Sequence, residues 1–132
     1  MTFITIKKRR DFLSATSSGK KFIVNSFILQ MVKRADGHPV PADVVRVGFT
    51  VTKKMGNAVV RNRIKRRLRE AARPSLAKHG VSGHDFVIIS RHKAFDCDFK
   101  DLLRDMEFAF RRIRGLDNSR NRETEKSNPL VL

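Results

Sequence analysis

Tryptophan and tyrosine are absent from this 132-residue chain, so its ten phenylalanines must supply every aromatic contact in a core. Cysteine occurs once, at Cys97, which excludes an internal disulfide framework and fits a reducing compartment. No apolar run approaches the roughly 18 residues that a transmembrane helix needs. The first ten residues are apolar before they are basic, the reverse of a secretory signal, so a cytoplasmic protein is expected. Acids are scarce too: 13 Asp and Glu stand against 29 Lys and Arg, a formal net charge of +16 with a pI near 11.3. That imbalance makes a polyanion the expected partner, nucleic acid first and an anionic membrane second. The length suits one domain, and a hydrophobic content of 40% is enough for one core.

The charge is concentrated. Between Lys53 and Arg73 lie nine cationic residues and one acid, Glu70, which is half of the net charge of the chain. The same stretch has helical order. Asn57 is placed to cap a helix, Val60, Ile64, Leu68 and Ala71 recur on one stripe, and Pro74 is expected to end or kink it. Arg61, Asn62, Arg63, Lys65, Arg66, Arg67 and Arg69 take the rest of the arc. Like charges at i,i+4, such as Arg61, Lys65 and Arg69, repel by a few tenths of a kcal/mol per pair, roughly. A free protein gains nothing from that repulsion, whereas a phosphate-bound one releases counterions. Arginine suits phosphate as a planar fork, and Asn62 can meet a base edge or a 2′-hydroxyl.

The remaining elements follow from periodicity. Residues 1–8 read as a loose basic arm, Arg9 to about Ser17 as a short helix, and Lys21 to Lys33 as one strand. In that strand Ile23, Phe27, Leu29 and Met31 share one face; Val24, Ser26, Ile28, Gln30 and Val32 share the other. A turn-rich segment at 35–42 precedes a second strand, Val44 to Thr52, with Val45, Val47, Phe49 and Val51 inward. These two strands are expected to pair as an antiparallel hairpin. An additional short strand near 21–24 or 40–44 is an open alternative. Asp85 to Ser90 suits a central buried strand. A last helix at about 98–114 presents Phe99, Leu102, Leu103, Met106, Phe110 and Ile113 on one face, and residues 115–132 form an aperiodic polar tail expected to be disordered. The expected order is α-β-β-α-β-α, an α+β domain spanning residues 1–114, with any crossover right-handed by default.

Little else carries chemistry. His38, His79, His84, His92 and Cys97 match no zinc spacing, no nucleophile–base pair is evident, and Asp85 is the one acid on a strand. The Lys53–Asn57 turn lacks a Walker pattern.

Val47-Gly-Phe-Thr-Val-Thr-Lys-Lys54 followed by Gly56-Asn-Ala-Val-Val-Arg-Asn-Arg-Ile-Lys-Arg66 strongly resembles the protein subunit family of bacterial ribonuclease P. Arg10-Asp11-Phe12 and Asp85-Phe-Val-Ile-Ile-Ser-Arg91 support the match, which spans about residues 7–114. The resemblance implies a single-domain α/β sandwich of about four strands, similar to domain 2 of ribosomal protein S5. It also implies a left-handed βαβ crossover, against the default hand. It further implies a ribonucleoprotein in which a companion RNA, with bound Mg²⁺, removes the 5′ leader of precursor tRNA; no protein side chain would be catalytic. Lys53, Lys54, Asn57, Arg61, Asn62, Arg63, Lys65, Arg66 and Arg69 would hold the catalytic RNA. Phe12, Ile28, Gln30, Thr50 and Thr52 would line a cleft for the single-stranded leader, and neither a membrane nor a stable protein partner is implied. Two departures stand out: Thr16 and Gln30 occupy places where the family often has cleft aromatics. The competing readings are a ribosome-associated RNA-binding module of the same fold and a DNA-binding or membrane-surface protein. The last is disfavoured because the helix has no helix-turn-helix partner and no broad apolar face.

Overall fold

In a computed structural model, residues 2–6 and 20–116 are described. The expected first helix, with Phe12 and Thr16, and the polar tail beyond Leu116 lie outside these residues. Five strands form one sheet: β1 (Thr2–Thr5), β2 (Lys20–Ile23), β3 (Phe27–Lys33), β4 (Val44–Thr50) and β5 (His84–Ser90). Three helices accompany them: α1 (Ala58–His79), the single turn α2 (Lys93–Asp96) and α3 (Phe99–Leu116).

The spatial order is β1-β4-β5-β3-β2. This overturns the expected β3–β4 hairpin. β5 lies between them, antiparallel to β3 and parallel to β4, with Ile88 facing Leu29 on one side and Phe49 on the other. The continuous apolar run of β5 explains its central place, because a strand flanked on both edges and covered on both faces needs no polar positions. The hairpin in the structure is β2–β3, closed at Val24–Ser26, where Val24 N–H donates to Phe27 O at 3.0 Å. The single strand expected over 21–33 is thus two, and the short strand weighed near 21–24 is β2. The expected N-terminal arm is corrected in its first part: Thr2–Thr5 pairs parallel to β4, from Thr2 opposite Val44 to Thr5 opposite Val47.

Both long helices pack on one face of the sheet. There Phe22, Phe27, Leu29, Met31, Val45, Val47, Phe49, Phe86 and Ile88 meet Ile64, Leu68, Ala71 and Leu76 of α1 and Leu102, Met106, Phe110 and Ile113 of α3. Each fully buried large side chain here contributes about 1.5–3 kcal/mol. The aromatic share of the core is phenylalanine throughout, with Phe86 and Phe110 rings 5.0 Å apart. The opposite face carries a smaller cluster of Ile6 and Val87 with Val32 and Ile89.

Pro74 neither ends nor interrupts α1, which continues to His79. Proline removes only the bond to the Glu70 carbonyl, and both residues are exposed, so the freed carbonyl is on the solvent side of the helix rather than in the core. The burial of Ser75, Leu76 and His79 holds the final turns in place. The strands β4 and β5 with α1 between them make a parallel βαβ unit, and this unit carries the basic segment.

Candidate nucleic-acid interface

The end of β4 becomes the start of α1 within seven residues. Lys53–Met55 forms one 3-10 turn, and Gly56 then adopts φ 140°, a conformation that L side chains rarely take. Space forbids a side chain there as well, because a Cβ would come within 3.0 Å of Val60 Cβ and Cγ1. Asn57 is extended at φ −74°, ψ 179°, and its Oδ1 accepts the Val60 N–H at 3.0 Å, which is the cap expected from sequence. Lys53 and Lys54 are thereby displayed, exposed, beside the first turn of the helix.

The nine expected RNA-facing residues all lie in this turn and along α1, around the arc left open by its buried stripe. Seven of them are exposed; Arg61 and Lys65 are half-buried. Arg61 Nε is buried and has no hydrogen-bond partner among the described residues. Arg69 lies over the Phe49 ring, 6.0 Å from its centre, and Arg73 shares with it the rim of a groove of about 180 Å³ floored by Val47, Phe49 and Leu76. Glu70 remains the one acid on the helix.

Arg67 departs from its neighbours. Its Nε donates to the Ala94 carbonyl at 3.1 Å, and Nη2 donates to the Cys97 carbonyl, so this cation fastens α2 to α1. The fastening sets two aromatic rings beside the basic face that helical periodicity did not reveal. Phe95 is 42% exposed and Phe99 37%, with Arg63 over the first and Arg67 over the second, each 6.0 Å from the ring centre. Phe99 was expected on the buried stripe of the last helix. It stands at the first position of α3, before the stripe meets the sheet, and Leu102, Met106 and Ala109 take the core instead.

The strand residues expected in a leader cleft are brought together by the register. Ile28, Ile89 and Thr50 form one row across β3, β5 and β4 on the face away from the long helices; Gln30, Val87 and Gly48 form the next. Ile28 and Thr50 are half-buried, and Thr52 is exposed just past β4. Gln30 differs from expectation in being only 1% exposed, and its Oε1 has no partner among the described residues. The sequence reading treated β3 as half of an open hairpin. With β5 against it, Gln30 instead borders the fully buried Val87 of the second cluster.

The third row is ionic. Asp85, the only buried carboxylate among the described residues, receives Arg34 Nη1 at 2.6 Å and Arg46 Nε at 2.9 Å on Oδ1, and Arg46 Nη2 at 2.6 Å on Oδ2. Arg34 also donates to the carbonyls of His84, at 3.0 Å, and Pro41, at 2.9 Å, tying the turn-rich segment to the sheet. Both carboxylate oxygens are therefore occupied by guanidinium groups. Elsewhere His79 Nε2 lies 2.7 Å from Glu107 Oε2 and links α1 to α3. That hydrogen bond holds the Glu107 carboxyl below its ordinary value of 4.5; burial opposes the shift, and the charges of His79, Lys78 and Arg111 add to it. Among the described residues no three His, Cys, Asp or Glu side chains converge as a metal site.

Comparison with known proteins agrees with the geometry. The family model described as Ribonuclease P matches residues 2–114. The ribonuclease P protein component of Paramagnetospirillum magneticum is 40% identical over 114 residues, covering 86% of this chain and 85% of that one. Its counterpart in Ruegeria pomeroyi is 44% identical over 111 residues, covering 83% and 86%. Among solved structures, the RNase P protein of Staphylococcus aureus superposes with a TM-score of 0.65 at 28% identity, over 81% of this chain and 92% of that one. The RNase P protein of Thermotoga maritima gives 0.65 at 27%, over 81% and 96%.

Proposed function

The chain belongs to the ribonuclease P protein family, and on that premise we propose that it binds the catalytic RNA and the 5′ leader of precursor tRNA, promoting removal of the leader. The protein component of ribonuclease P is part of an endoribonuclease complex; the division of labour within that complex is the proposal. The observation that carries it is the rigid cationic surface at residues 53–69, held in position by the Gly56–Asn57 turn and nearly free of compensating acids. Lys53, Lys54, Asn57, Arg61, Asn62, Arg63, Lys65, Arg66 and Arg69 grip the RNA backbone through counterion release and charge-assisted hydrogen bonds.

The leader lies across the row of Ile28 and Thr50 toward Thr52, where shallow apolar contact suits an unpaired strand, and Phe12 adds a stacking surface. Gln30 stands buried in the adjoining row, opposite Val87, and backs that path from within the sheet. The protein supplies binding, and hydrolysis belongs to the RNA and its Mg²⁺. Asp85 fits no metal-binding role, because Arg34 and Arg46 take both of its oxygens.

Reconstitution tests the reading. Adding the protein to ribonuclease P RNA should restore precursor tRNA cleavage at low Mg²⁺, and RNA-free protein should cut nothing. Lys54→Ala combined with Arg66→Ala should lower the salt dependence of RNA binding by about two phosphate contacts. An unchanged slope would remove this surface from the interface.

A further inference from the structure

Phe95 and Phe99 are four residues apart, and so are Arg63 and Arg67, the two cations that lie over them. A lone exposed phenylalanine means little on a protein surface. Two exposed rings in register with two arginines of the most cationic helix are an ordered ladder. The ladder is also held rigid. Arg67 ties α2 to α1 through the Ala94 and Cys97 carbonyls, Ala94 is fully buried, and Arg91 Nη1 donates to the Val24 carbonyl at 2.8 Å on the other side of the turn. A stacking ring fixed in this way loses little conformational freedom when a ligand arrives.

Resting on the proposed RNA-binding role of α1, we infer that Phe95 is a stacking platform for an unpaired nucleobase of the bound RNA, with Arg63 taking the adjoining phosphate. Phe99 and Arg67 form the second, more firmly fastened rung. Charge sets the direction of the strand. Asp96 and Asp98, the exposed chain neighbours of the rings, are acidic, while Arg63 and Arg66, exposed on α1, are cationic. Phosphates are repelled from the first pair and attracted by the second, so the backbone runs along α1 and the base turns outward onto Phe95. An arginine at the edge of the stack adds a cation–π contribution to the same contact.

Binding of transcribed Paramagnetospirillum magneticum ribonuclease P RNA, measured at several salt concentrations, tests the inference. Phe95→Ala should weaken binding about tenfold with the salt slope unchanged, as expected for the loss of one stacked base. Phe95→Trp should retain wild-type affinity, and Phe95→Leu, which keeps apolar area without a π-face, should fall close to the alanine variant. Arg63→Ala should instead reduce the slope by about one contact. Its effect should shrink when combined with Phe95→Ala, since the two share one nucleotide. A fully paired RNA duplex should bind every Phe95 variant alike. If Phe95→Ala and Phe95→Leu bind the ribonuclease P RNA within twofold of wild type, the platform is refuted while the basic face stands. If the wild-type protein itself fails to bind that RNA, both this inference and the proposed function fall.

Discussion

Arg66 and Arg67 are adjacent, and the step of about 100° between them separates a cation facing solvent from one whose guanidinium donates to the Ala94 and Cys97 carbonyls. The sequence shows equal charges at both positions; only the partner carbonyls, almost thirty residues on, assign them different duties. Asp85 repeats the lesson in the acidic sense. Its position on a strand was legible, but its two arginines come from β4 and from the end of β3, and no local pattern links them. Asp85→Ala should destabilise the protein by about 3–5 kcal/mol, because Arg34 and Arg46 would be left as buried, uncompensated charges. Thermal or denaturant unfolding would measure this, and a loss below about 1 kcal/mol would mean that water reaches the guanidinium groups. Gln30 was misjudged for a related reason, since accessibility is a property of the neighbouring strand. Its polarity suggested a surface, but burial depends on β5.

Helical elements were the more readable ones, because the signals of α1 are local: an Asn cap, a glycine that only glycine can replace, and a stripe repeating every turn. The stripe of α3 was equally plain from Leu102 to Ile113. The short α2 was not seen, as one turn carries no periodicity, and Pro74 misled because its effect depends on whether the abandoned carbonyl can reach water. Of the strands, β4 and β5 were found, β2 and β3 were read as one, β1 was taken for a loose arm, and the pairing was wrong. Hydrophobic alternation places a residue on a face and says nothing about which strand lies beside it. A prediction at this scale concerns the link between α1 and α2. Arg67→Ala should release α2 and cost about 1–3 kcal/mol of stability through the orphaned carbonyls. Its effect on stability should exceed that of Arg66→Ala, which removes a solvated charge. Equal unfolding temperatures for the two variants would contradict the assignment.

At the scale of the molecule, the two long helices meet the same face of the sheet and are joined near one end by His79 and Glu107. Because the Glu107 carboxyl is held below 4.5 when folded, the pair stabilises the protein above that pH, and the stabilisation is lost as pH falls below it. The side chain is about a third exposed, so solvent screening limits the contribution to less than about 1 kcal/mol. Glu107→Gln should accordingly lower neutral stability by less than about 1 kcal/mol and flatten the acid limb of a stability–pH profile below about pH 4.5 by the same amount. An acid limb identical to that of the wild type would exclude the link.

The position of β5 has a consequence for the order in which the protein is made. β3 and β4 are complete by residue 50, yet neither pairs with the other; both pair with β5, which ends at Ser90. A chain leaving the ribosome therefore carries two apolar strands with open edges while the whole of α1 is being synthesised. The central strand then arrives late and closes the sheet from within, a long-range pairing of the kind that folds slowly and is prone to aggregation. During that interval the polypeptide already bears its greatest density of positive charge, and mutual repulsion among nascent chains would keep those open edges apart.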